Sequence, residues 1–274
     1  MNSVIINADD LGMSPGTNKA IFDAFDSGKL THASIMTNGD YFEEAVNGVK
    51  ERKGLGVGVH LNLSYGKSLL ENELLHDEEG LFDKGFLSIY LEILKKEEIL
   101  SAIEEELEAQ IVRAKDYGIS ITHLDSHRHV HTIPKIFEIV VKLSKKHGVP
   151  RIRTINENIF RSMKLNGSLN FFSNGGIFKY LLLRSFDIKN RSGGNFGEER
   201  RFFSILFTGK VSASSIENIL KTELPFEIMV HPGYSEIDEK VKFYDEGERL
   251  YRISKDRDYE LKELKKIAPI TEKG

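Results

Sequence analysis

Apolar residues recur along the chain in two alternating periods, short β-branched runs and longer stretches with helical spacing, and the alternation predicts βα units around a parallel sheet. The first run covers residues 4–8. Ser14 then stands as an N-cap with Pro15 at the first helical position, and the helix should reach Ser27 before Gly28 stops it. A strand over 33–37, a helix over 41–50 and a strand over 57–63 follow. Over 64–88 the period lapses, a long excursion of the kind that is functional or mobile. The span 97–117 predicts a long helix, with Ile99, Ile103, Leu107 and Ile111 on one stripe and Gly118 at its end. Further strands are expected over 119–124, 151–155, 203–207 and 226–230, with helices over 134–147 and 245–265. The stretch 187–201, holding Ser192, Gly193, Gly194, Asn195 and Gly197, carries no period and reads as a flexible loop. The pattern amounts to about seven βα units, and no repeat or low-complexity linker divides residues 1–274, which are read as one domain.

Composition narrows the chemistry. The chain of 274 residues is 40% hydrophobic and 29% charged, with 38 Lys and Arg against 42 Asp and Glu. A net charge of -4 offers no long-range attraction for nucleic acid or an anionic membrane. No apolar run approaches the ~20 residues of a spanning helix. Met1 leads directly into a strand without the basic and apolar regions of a secretory signal, so a cytoplasmic location is expected. With no cysteine, thiolate metal sites and a Cys nucleophile are excluded, and any metal must be held by His, Asp or Glu.

In parallel βα folds, function collects where strands end. Here the first strand ends at Asp9 and Asp10, the third carries His60 and Asn62, the fourth runs into His123-Leu124-Asp125-Ser126-His127, the fifth carries Arg153, and the last ends at His231. Taken singly, paired Asp residues before a helix are caps, and a lone His on an apolar strand is a satisfied core residue. Arg153 reads equally well as an ion-pair partner or a substrate contact. The segment from His123 to His131 is different, because packing does not call for four imidazoles and a carboxylate within nine residues. If that segment is extended, His123, Asp125, His127, His129 and His131 point the same way, and parity does not separate ligands from neighbours. A metal-bound imidazole needs its second nitrogen held, so Asp125 is a candidate orienting partner. An Asp/His/His set leaves positions open for water and substrate, and Asp9 and His231 suit a general base and a general acid beside it.

These motifs resemble the YdjC-like carbohydrate deacetylases, chitooligosaccharide deacetylases included. The match rests on Ala8-Asp9-Asp10-Leu11-Gly12 with Ser14-Pro15-Gly16, Gly58-Val59-His60-Leu61-Asn62-Leu63, the segment His123 to His131, and His231-Pro232-Gly233. The resemblance implies a distorted (β/α) barrel of the polysaccharide-deacetylase kind, one divalent metal, and removal of an N-acetyl group from an amino sugar or small oligosaccharide. It assigns Asp10, His60 and His127 as ligands, Asp9 as general base and His231 as the acid toward the leaving amine. Asp125, His129, Arg153 and Asn62 are then substrate contacts or supports of the ligands. One carboxylate and two imidazoles suit Zn, Mn, Co or Fe(II), and the family brings in Mg. A homodimer is compatible with an enzyme of this size. The region 165–201 matches no motif and is where specificity for the sugar is expected. Two alternatives stay open, a metal hydrolase of another bond such as a phosphoester or cyclic amide, and a sugar-binding protein without turnover.

Overall fold

The computed structural model describes residues 4–166, 176–192, 198–222 and 224–270. Six strands, β1 (Val4–Leu11), β2 (His32–Ile35), β3 (Gly56–Leu61), β4 (Ile121–Ser126), β5 (Arg201–Phe203) and β6 (Phe226–Val230), form one sheet in the order β4-β3-β2-β1-β6-β5. Every pairing is parallel, and the sheet curls into a half-barrel. The connecting helices pack against the strands and one another, as the helix Ile99–Asp116 does against β3 and the helix Pro134–His147. Gly28 and Gly118 end their helices with φ of 71° and 84°, a left-handed conformation that would strain a side-chain-bearing residue.

Several expected elements differ. Residues 151–155 form no strand: Ile152 makes a single bridge to Leu124, so the described residues give six strands in place of seven regular units. The segment still spans the open side of the sheet. Arg153 N–H donates to the Leu124 carbonyl of β4, and Phe202 N–H of β5 donates to the Asn156 carbonyl. Its side chains Arg151 and Arg153 reach into a charged interior. The strand expected over 203–207 lies earlier, at Arg201–Phe203. The helix expected over 245–265 is two, Glu246–Arg252 and Lys255–Lys266, because Ser254 caps the second. Within 187–201, the residues to Arg191 continue the helix Gly176–Arg191, while Gly193, Gly194, Asn195 and Gly197 lie outside the described residues. The excursion after β3 is ordered by antiparallel bridges Lys67–Leu81 and His76–Phe82, and by Glu106 accepting from Leu69 and Leu70 N–H.

Beyond the spanning segment, Glu157 is buried and accepts from Ser162 Oγ at 2.7 Å and Ile205 N–H at 2.7 Å. Burial pushes its carboxyl up from 4.5 to about 7. A carboxyl raised in the folded state binds more protons there than in the unfolded chain, so stability falls as pH rises through this window. Glu157→Gln should lose less stability than the native chain between about pH 4 and about pH 8, by up to roughly 3 kcal/mol. Urea unfolding at both pH values checks this, and equal losses in the two proteins would contradict it.

Candidate active site

Adjacent strand residues ordinarily face opposite sides, yet Asp9 and Asp10 both reach the same pocket. The register of β1 against β2 shifts between Ala8 and Leu11, and Asp10 has φ of 71°. This bulge turns both carboxylates toward the strand ends. Among the described residues, the other non-glycine residues with positive φ are Arg128 and His129, in the turn His127–Thr132. All three line one pocket. Such strain costs about 1–3 kcal/mol per residue and is retained where geometry matters.

Around that pocket, Asp10 Oδ1 lies 3.0 Å from His127 Nδ1 and 3.4 Å from His60 Nε2. Asp9 Oδ2 lies 4.0 Å from His60 Nε2 and 4.0 Å from His231 Nε2. Asp10, His60 and His127 each offer a ligand atom, all within 4.8 Å of one another and all buried. A cluster of one carboxylate and two imidazoles at that spacing fits a divalent cation by the chemistry of its donors. Asp9, His60 and Asp125 also lie close enough to share an ion. In that second group, however, Arg153 occupies Asp9 and Asp125.

Burial would raise the Asp10 carboxyl, but the Arg252 guanidinium and bonds from His127 and His60 hold it well below the usual carboxylate range. His60 shows the opposite balance: burial works against its charge, yet Asp125 and Asp9 push the imidazole up to about 10. That field of negative charge favours any cation placed beside His60. Asp9 is raised by burial, against the pull of Arg153 and His60. His231 is held well below the ordinary imidazole value by burial and is therefore neutral.

The half-barrel interior is polar. Asp125 takes His60 Nδ1 at 2.8 Å, Ser34 Oγ at 2.6 Å and Arg153 at 2.7 Å. Arg153, fully buried, also binds both oxygens of Asp9 at 2.7 Å and Glu227 at 2.6 Å, while Arg151 pairs with the other oxygen of Glu227. One side chain thus ties β1, β4 and β6 together across the interior. Bonded to three carboxylates, Arg153 stands behind Asp9 and Asp125 and does not line the pocket.

The remaining histidines separate by backbone. Strand β4 stops at Ser126, and the left-handed Arg128 and His129 break the shared parity expected of an extended segment. His123 stays in the sheet, bonded to Ser34 Oγ at 3.0 Å and Thr122 Oγ1 at 2.9 Å. A Cβ at Gly58 would lie 2.4 Å from its ring, so glycine there makes room for it. His131 binds Ser126 Oγ at 2.5 Å and the Arg153 carbonyl at 3.2 Å, anchoring the spanning segment. His129 lines the pocket with a buried, unpartnered Nδ1. Asn62 does not line it: its amide donates to the Tyr65 carbonyl at 2.6 Å and to Asn38 at 3.2 Å, holding the loop after β3 and the Asn38 turn beside it.

The pocket encloses about 280 Å³, with Arg128, Lys179, Thr208 and Tyr251 among its walls. Lys179 comes from the 165–201 region that matched no motif. Glu248 and Arg252, which reach the candidate ligands from the helix Glu246–Arg252, gave no signal in the sequence beyond a charged helical stretch.

Fold and site define a class: a parallel α/β half-barrel whose strand ends gather carboxylates and imidazoles able to hold a divalent cation. A model of the YdjC-like protein family matches residues 3–266, and the chain belongs to that family. Carbohydrate deacetylases from Clostridium beijerinckii and Brevibacillus brevis are 37% and 40% identical over 164 and 152 residues, which cover 59% and 54% of this chain. The matched stretches span 64% and 57% of those relatives' own lengths. A crystal structure from Enterococcus faecalis V583, described as a cellobiose-phosphate cleavage protein, superposes with a TM-score of 0.63 at 22% identity, covering 97% of this chain and 95% of that one. At that identity the likeness is one of fold. Among the described residues, no helix is long and apolar enough to cross a membrane.

Proposed function

We propose that the protein is a metal-dependent hydrolase that removes an N-acetyl group from an amino sugar or small oligosaccharide of the chitooligosaccharide type, releasing acetate. The observation that carries this reading is the convergence of Asp10 Oδ1, His60 Nε2 and His127 Nδ1 on one pocket that Asp9 and His231 also face. The relatives named carbohydrate deacetylase support the choice of bond.

Asp10, His60 and His127 would hold the cation, with Mg or Zn the first candidates and Mn, Co or Fe(II) also suited. A divalent cation there supplies a Lewis acid that polarises a carbonyl and acidifies water. The residues of the chain do the rest. Asp9, kept in place by both arms of the Arg153 guanidinium, takes a proton from the attacking water. His231 is neutral at rest, with Nε2 4.0 Å from Asp9 Oδ2; it takes the proton from Asp9 and, as the imidazolium, passes it to the departing amine. That relay returns Asp9 to the carboxylate and His231 to the neutral imidazole as acetate leaves. No covalent intermediate is called for, in keeping with a chain that has no cysteine.

Asp9→Asn separates these roles. It should keep the bound metal while acetate release from N-acetylglucosamine oligosaccharides falls by roughly 10²–10⁴-fold. Acetate assay beside metal analysis tests this, and undiminished release would remove Asp9 as the base. Release of phosphate but no acetate from a phosphorylated sugar panel would overturn the reading as a whole.

A further inference from the structure

Glu248 and Arg252 sit one turn apart on the helix Glu246–Arg252, and Arg252 Nε donates to Glu248 Oε1 at 2.6 Å. Both are buried, while Glu246 and Leu250 of the same helix are exposed and Arg249 is half-buried. A charged pair withdrawn from water in this way needs partners beyond itself. Arg252 finds one in Asp10: its Nη2 donates to Oδ2 at 2.9 Å, leaving Oδ1 to face His60 and His127. Glu248 faces His127, with Oε2 3.7 Å from Nε2, a buried nitrogen that has no hydrogen-bond partner. The same Oε2 accepts from Arg128 at 3.2 Å.

His60 displays the complete form of this arrangement, with Nδ1 bonded to Asp125 at 2.8 Å and Nε2 turned to the site. His127 is its mirror, Nδ1 turned to the site and Nε2 turned to a carboxylate. We infer that Glu248 and Arg252 are positioning residues of the cation site: Glu248 orients His127 through its outer nitrogen, and Arg252 orients Asp10 through its outer oxygen. One helical turn then sets two of the three candidate ligands, and each ligand has a charged partner behind it. This assignment rests on Asp10, His60 and His127 being the ligands. A pair that merely docked the helix would satisfy its charges without governing metal affinity.

Cobalt(II) binding, read by its visible d–d absorption and by competition with a chromophoric chelator, tests the assignment apart from any activity. Glu248→Gln keeps the size of the side chain and can still accept from Arg252. It should lower Co(II) affinity by roughly 10–100-fold and shift the bands, with Glu248→Asp recovering part of the loss. Arg252→Lys should lose less affinity than Arg252→Met. Native affinity and native bands in Glu248→Gln, with Co(II) lost from the separate His60→Ala protein, would overturn the positioning role alone. Undiminished binding in His60→Ala would instead overturn the ligand assignment and this inference with it. A second measurement needs no variant: ¹⁵N NMR of the zinc-loaded native protein should show His127 protonated at Nε2, and protonation at Nδ1 would overturn the role of Glu248.

Discussion

His60→Ala should remove bound metal and acetate release together, with the rate falling by about 10³-fold or more while the fold persists. A Lewis acid contributes several kcal/mol to acyl-group hydrolysis, and each ~1.4 kcal/mol is tenfold in rate. The substitution also takes away the imidazole on which Asp125 and Asp9 converge, so it strips the pocket of the group between its two acidic clusters. Asp10→Ala and His127→Ala should behave alike, since the three candidate ligands would act as one unit and their losses should not add. Metal content by elemental analysis, acetate release and a thermal melt on the same preparations check this. Retained metal with lost activity would move the ligand role elsewhere.

Arg153→Met should produce the largest loss of stability, about 3–5 kcal/mol, because it strands Asp9, Asp125 and part of Glu227 in the half-barrel interior without their cation. The arginine fork is what spans three strands at once; lysine has one ammonium and does not reach them all. Arg153→Lys should therefore recover only part of the loss. Urea denaturation of the three proteins measures it, and an unchanged midpoint in Arg153→Met would show that the interior network contributes little.

Much of this arrangement is legible in the sequence for a simple reason. Apolar strands that end in ionisable residues announce a functional edge, and β1, β3, β4 and β6 each do so. Asp9, Asp10, His60 and His231 are thus found by position, His127 is picked from its neighbouring histidines by the family resemblance, and the structure brings all five around one pocket. What sequence does not show is which backbone breaks period. The bulge that turns Asp9 and Asp10 the same way, and the left-handed turn at Arg128 and His129, each undo the parity rule at the residues where it matters most. Parity alone leaves His123 and His131 as candidate ligands, whereas their bonds to Ser34 and to the Arg153 carbonyl show them holding the interior.

The seventh strand failed for a related reason. Ile152 and Ile155 give residues 151–155 an apolar, β-like rhythm, but Ile152 makes a single bridge to Leu124, while Arg151 and Arg153 on either side of it are drawn inward by Glu227, Asp9 and Asp125. Glu248 and Arg252 were hidden by their company. An acid and a base four apart in a charged helix read as an exposed pair worth a few tenths of a kcal/mol, and only the fold reveals that this turn of the helix faces the pocket. The helix Gly176–Arg191 shows the same limit, since it delivers Lys179 to the pocket wall with no motif to mark it.

On the proposed reading, a cation held at Asp10, His60 and His127 drives removal of an acetyl group. The most direct test is to strip the purified protein of metal, titrate back one divalent ion at a time, and count acetate released from N-acetylglucosamine oligosaccharides at each step. Acetate should be absent from the stripped protein and rise with bound metal to a plateau at one ion per chain. Release that is indifferent to chelation, or none with any metal added, would contradict the account.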